Sequence, residues 1–227
     1  QIIQAINPKN FYHSPMTKLV SLENTTNKGG GYCWDISEFE KIQKVCTENE
    51  LGLHMDGARI WNSIIAMNND PKIYGNFFDT ISVCLSKGLG CPIGSVLVGK
   101  GKVMEKAIRI RKILGGGMRQ VGYLAAAGLY ALQNNINRLS DDHRRAKEIA
   151  KKFSSKDFVY KINNVETNII IVELNKSVNK QEIINHFTNH NVILDWYSMG
   201  FQKIRIVTHL DHTEKNHEAI LEFIDKL

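Results

Sequence analysis

Between residues 17 and 99, short apolar runs alternate with stretches whose apolar residues recur at helical spacing, and this alternation leaves few architectures open. TKLVSLEN, LGLHMD, FFDTISVCLS and GSVLVG each hold a compact apolar stretch bounded by turn-forming residues, as buried strands do. Residues 37–49 and their flank place Ile36, Phe39, Ile42, Val45 and Cys46 on one helical face, with Asp35 or Ser37 available as N-cap. RIWNSIIAM also reads as helix. Helices feeding strands in this rhythm give an α/β sheet.

Residues 102–152 read as helix broken once, at Gly115, Gly116 and Gly117. Within them RLSDDHRRAKEIAKKF is so densely charged that a long solvent-facing linker helix is expected. Beyond it FVYKI, NIIIVEL, NVILDW and KIRIVTHL read as strands, and QEIINHFTNHN and TEKNHEAILEFIDKL as helices. The expected organisation is a large domain over residues 1–137 and a smaller α+β domain over residues 138–227. No internal repeat or low-complexity tract interrupts it.

Composition narrows the function classes. Hydrophobic residues at 43% and charged residues at 23% are those of a globular domain rather than a disordered or fibrous chain. A net charge of +6 raises the question of an anionic partner. The basic residues are scattered, however, without a dense run interleaved with aromatics, which argues against nucleic acid. No apolar run approaches the ~20 residues that span a bilayer, so a membrane partner is not expected. Cys33, Cys46, Cys84 and Cys91 form no C-x-x-C pair and are expected as reduced thiols in a reducing, cytoplasmic setting. The chain opens on Gln1 followed directly by IIQAI, as though cut from something longer, which leaves any targeting segment open.

Two strand ends carry candidate chemistry, because open α/β sheets hold ligands where polar residues follow the carboxyl ends of strands. Asp56 follows LGLHM and Lys87 follows ISVCL. Taken singly, Asp56 suits a cap for a helix starting at Ala58, and Lys87 suits a lysine reaching for solvent. Taken together they match what pyridoxal 5'-phosphate (PLP) requires: a carboxylate against the pyridine nitrogen and a lysine that holds the aldehyde carbon as a Schiff base. Burial at the strand end would depress the lysine's pKa and make it a usable amine nucleophile.

HMDGARIWN, DTISVCLSKGLGCPIGSVLVG, RKILGGGMRQVGYLAAAGLYAL and RIVTHLD, in this order and preceded by HSPMTKLVSLENTTN, resemble the L-threonine aldolase family from residue 13 onward. The resemblance implies a fold like that of the aspartate aminotransferase superfamily: part of a PLP-binding large domain with a mixed, mainly parallel sheet, plus a smaller C-terminal α+β domain. It implies retro-aldol cleavage of threonine or allo-threonine to glycine and acetaldehyde by a homo-oligomer, dimer or tetramer, acting on a β-hydroxy-α-amino acid. Lys87 is then the Schiff-base lysine, Asp56 the partner of the pyridine nitrogen and Arg59 a contact to the cofactor's phenolic oxygen. Arg205 grips the substrate carboxylate, which its planar fork of N–H donors fits. Arg119 and Lys112 approach the phosphate or the entrance, and His13 approaches the substrate hydroxyl.

Alternatives stay open beside that reading. The same constellation serves other PLP lyases and hydroxymethyltransferase relatives, and an inactive assembly partner is a third possibility. His54 shares a strand face with Asp56 but suits a structural role better. His209 and His212 lack a third metal ligand nearby. The sequence also departs from the family: Thr26 stands where the ENTHN motif has histidine, KGGGYCW is a longer loop than usual, and the family's N-terminal third, with its phosphate-binding loop and ring-stacking side chain, has no counterpart.

Overall fold

The computed structural model describes residues 1–193, 199–200 and 202–227. Apolar runs and helical stripes assemble into two sheets. The first contains β1 (Leu19–Glu23), β2 (Gly52–Gly57), β3 (Thr80–Cys84) and β4 (Ser95–Gly99), in that spatial order. The first three strands are parallel and β4 runs antiparallel to β3. The sheet is therefore mixed and mainly parallel, as expected.

Helix α1 is a single turn (Ile2–Ala5), and the crossovers are α2 (Ile36–Glu48), then α3 (Ile60–Met67) with α4 (Pro71–Phe77). Asp35 occupies the N-cap position of α2 without a side-chain bond, whereas the Asp70 side chain accepts from the Lys72 N–H at the start of α4. Phe39, Ile42 and Cys46 of α2, the stripe expected from spacing, pack on Leu53 and Met55 of β2 and Ile81 and Val83 of β3. Tyr74 and Phe78 close this core, with Phe39 edge-on to both rings.

The helical stretch after β4 breaks twice rather than once, giving α5 (Gly101–Ile113), α6 (Gly122–Asn134) and α7 (Leu139–Ser154). The expectation of a solvent-facing linker is corrected for α7. It buries Leu139, Asp142, His143, Ala146, Ile149 and Phe153 along one stripe, which its dense outer charge conceals in a composition reading. Leu139 packs with Leu89, Cys91 and Ala131, while Ala146, Ile149 and Phe153 belong to a second core with Ile170, Val172 and Ile204. One helix thus packs on the segment between β3 and β4 and on the second sheet.

The second sheet is antiparallel: β5 (Val159–Ile162), β6 (Ile169–Leu174) and β7 (Lys203–Val207), in that order. Helices α8 (Lys180–Asn189) and α9 (Glu214–Asp225) accompany it. Of the expected strand NVILDW, Asn191, Val192 and Ile193 are not strand, and its remainder lies outside the described residues. No described helix is long and apolar enough to cross a membrane.

Candidate active site

Parallel register aligns the carboxyl ends of β1, β2 and β3, with Glu23 opposite Asp56 and Asp56 opposite Ser82. Just past β2 the chain must turn into α3 while hugging β3. A Cβ on Gly57 would lie 2.7 Å from the Ser82 carbonyl oxygen, so glycine is what lets Asp56 and Arg59 sit together at the strand end. The Ala58 N–H donates to Asp56 Oδ1 at 3.0 Å, which fixes the carboxylate. This is a local turn rather than a helix cap, because α3 starts at Ile60.

Lys87 sits in the β3–β4 connection. The connection is closed by bonds from the Leu85 N–H to Gly94 O and from the Cys91 N–H to Leu85 O. It is anchored from outside by Asn135 Nδ2 donating to Leu89 O at 2.7 Å and Arg138 Nη1 donating to Gly88 O at 3.3 Å. Lys87 Nζ lies 3.5 Å from Cys84 Sγ. The side chain is exposed rather than buried, so the desolvation expected to activate it is not provided by the described residues.

A cavity of about 400 Å³ opens at these strand ends, walled by Arg59, Ser86, Lys87, Asn168 and His209, among others. A larger one, about 680 Å³, lies between β7 and α9 and has Arg205 on its wall, but no lysine lines it. The smaller cavity is therefore the candidate site.

Arg205 reaches the same strand ends from the second sheet. Its Nη2 donates to Asn27 Oδ1 at 2.7 Å, and the Asn27 N–H donates to Glu23 Oε2 at 3.0 Å. Burial, and next the charge of Arg205 beside it, hold the Arg59 pKa below its ordinary value against the opposing pull of Glu23, Cys84 and Asp56. Arg59, held beside a second cation, is suited to an anion, whose arrival would relieve the repulsion.

Asp56, Arg59, Lys87 and Arg205 are thus gathered; three other expected residues are not. His13 is exposed and its ring meets those of Phe11 and Tyr12. Lys112, on the last turn of α5, and Arg119, in the connection to α6, are exposed and line neither cavity just described. His54 has a structural partner, Nδ1 lying 2.8 Å from Thr80 Oγ1. His212 contacts His217, which contacts Glu148, and no group of three potential metal ligands occurs among the described residues. The four cysteines are free thiols.

Sequence reading passed over Asn27 and Asn168. Asn27 sits in the loop after β1, where its motif position was visible but its reach to Arg205 was not. Asn168 is buried at the start of β6, donates Nδ2 to Thr208 O at 2.8 Å, and has no partner for Oδ1. Only tertiary contact reveals either.

Residues 1–177 match the family model described as beta-eliminating lyase. A probable low-specificity L-threonine aldolase 2 from Arabidopsis thaliana is 38% identical over 97% of this chain and 62% of its own length. The chain thus spans about six-tenths of that relative. Among solved structures, a Leishmania major threonine aldolase superposes with a TM-score of 0.81 at 19% identity, over 99% of this chain and 65% of its own. A histidinol-phosphate aminotransferase from Clostridium acetobutylicum superposes with a TM-score of 0.66 at 14% identity, over 92% and 63%. Similarity at such low identity establishes the fold, which is the aminotransferase-like one expected.

Proposed function

The chain belongs to the beta-eliminating lyase family, and from that premise we propose that its strand-end cluster holds PLP and an amino-acid carboxylate in a protein that cleaves threonine or allo-threonine. The observation that carries the proposal is that Arg59 and Lys87 share one cavity wall, with Asp56 and Arg205 near enough to Arg59 to act on its charge. Relatives named low-specificity L-threonine aldolase support the choice of substrate.

The residues fit the ring end of the cofactor. Asp56, its Oδ1 held by the Ala58 N–H, is placed to keep a proton on the pyridine nitrogen. Lys87 Nζ would be the covalent attachment point, and Arg59 would supply a cation to the ring oxygen. When bound, PLP is the electron sink for the pair released as the Cα–Cβ bond breaks. Arg205 binds the substrate carboxylate with its fork of N–H donors, and Asn27 sets the angle of that fork. His13 as acceptor of the β-hydroxyl proton, and Lys112 and Arg119 at the phosphate end or entrance, rest on resemblance alone. So does a homo-oligomeric state, whereas a cytoplasmic location rests on the reduced cysteines and the division at residue 137 on the order of elements, which the separate apolar cores favour.

Incubation of the chain with PLP, borohydride reduction and peptide mapping test the assignment. A single label on Lys87 is expected, absent from Lys87→Ala. Undiminished labelling of that variant, or a label at another lysine, refutes it. Equal yields of glycine and acetaldehyde from threonine are expected of the whole protein; ammonia release instead would favour a β-eliminating relative.

A further inference from the structure

Asn168, just before β6, is 2% exposed, and its amide is held in one orientation. The Asn168 backbone carbonyl accepts from the Thr208 N–H at 3.1 Å, and Asn168 Nδ2 donates to Thr208 O at 2.8 Å. A backbone carbonyl can only accept, so the amide must turn its nitrogen toward Thr208, and its other end is fixed as oxygen. Thr208 is anchored in turn, its Oγ1 donating to Asp142 O of α7 at 2.6 Å. The oxygen so fixed, Asn168 Oδ1, is buried and has no partner among the described residues. A buried acceptor without a hydrogen bond is costly, and native proteins keep few of them.

Its place gives it a use. Asn168 walls the candidate cavity together with Arg59 and Lys87, and among the described residues no other side chain with a buried, unpartnered polar atom does so. Arg59 and Lys87 offer N–H groups, which suit the oxygens of an anionic ligand. Asn168 offers the opposite, an uncharged acceptor that calls for a hydrogen from the ligand and does not compete with its carboxylate for the cations. Asp211, also on the wall, is no rival, because its side chain is 89% exposed.

A β-hydroxy-α-amino acid brings a carboxylate, which only accepts, an amine, which takes the place of Lys87 Nζ on the cofactor, and a hydroxyl, which is left to donate. We propose that Asn168 Oδ1 accepts from that β-hydroxyl and thereby sets the preference of the site for hydroxylated amino acids, an inference that rests on the reading of the cavity as an amino-acid site. An amide oxygen is too weak a base to take the proton. Asn168 therefore selects and orients the hydroxyl, which turns about its C–O bond to give its proton to a stronger acceptor. A ligand without the hydroxyl leaves Oδ1 unpaired, and a site built for a hydrogen bond rejects such an analogue on that account.

Affinities of the PLP-loaded protein for threonine and for 2-aminobutyrate, which has hydrogen in place of the hydroxyl, test the proposal when read by rapid-mixing absorbance before cleavage. The wild type should bind threonine about tenfold tighter or more. Asn168→Leu should weaken threonine binding about tenfold and 2-aminobutyrate binding by less than about threefold, the retained binding of the second ligand showing that the variant is folded. Asn168→Asp keeps an oxygen acceptor but gives up the bond to Thr208 O, and should hold more of the preference than Asn168→Leu. Equal losses for both ligands in Asn168→Leu, or no loss for either, overturn the proposal. So does a preference lost as fully in Asn168→Asp, since the bond to Thr208 is then the reason for the asparagine. In each of those cases wild-type binding and borohydride labelling of Lys87 stand; a wild type that binds neither ligand refutes the amino-acid reading itself and this inference with it.

Discussion

Strands β3 and β4 are hydrogen-bonded neighbours of similar composition, TISVC and SVLVG, with opposite surroundings. Ile81 and Val98 face each other in register, yet Ile81 is 7% exposed and Val98 is 50% exposed. Helix α2 and the aromatic group of Phe39, Tyr74 and Phe78 cover the first, and nothing described covers the second. An apolar strand is equally legible in both settings, and only its tertiary neighbours decide whether it is covered.

That contrast can be broken by mutation. Ile81→Ala should cost about 2–5 kcal/mol in urea unfolding, the range for emptying a closed core site; a loss comparable to that of a surface change would mean that the first core is as open as β4. A second test uses pH. His143 is buried, its Nε2 lies 3.1 Å from Asn62 Nδ2, and burial, with Lys147 adding, holds its pKa near about 4, against 6.5 for the free side chain. The unfolded chain therefore binds a proton that the native chain refuses. Stability falls as pH drops from about 6.5 to about 4, by on the order of 3 kcal/mol, and levels off below. His143→Gln should flatten that slope; an unchanged slope would place its origin elsewhere.

Smaller effects sharpen the comparison. Asn27→Ala removes the acceptor that orients Arg205 and should weaken glycine binding by the PLP-loaded protein about tenfold, with little change in cofactor labelling. Equal affinity would show that Arg205 is positioned by other contacts. Val98→Ala should change the stability of this chain by less than about 0.5 kcal/mol, because half the side chain is already in water. A cost near that of Ile81→Ala would show that β4 is covered in solution, and would point to self-association.

Legibility followed the range of the forces involved. The first sheet was readable because each strand is a local apolar run between turn signals, and α2 because its stripe repeats within thirteen residues. Helix α7 reads as solvent-facing because nine polar or charged neighbours outweigh a stripe that is apparent only when spacing is followed, and because Asp142 and His143 count as surface residues until their partners are seen. Asp56 and Lys87 are candidates by their positions at strand ends, which the sheet confirms as positions and not as roles. The link from Arg205 to Asn27 spans 178 residues and has no local signature.

Taken alone, the amino-acid order determined most of the elements and their order, the strand ends beside Asp56 and Lys87, and the lack of a dense basic run, since these depend on periodicity and neighbouring residue types. Tertiary structure decided that Arg205 would meet Arg59, that Lys87 would lie exposed in a tethered loop, that His13 would stand apart, and that β4 would be bare where β3 is buried. Those outcomes depend on which surfaces approach one another across long stretches of chain, and desolvation and charge repulsion act only after they have met.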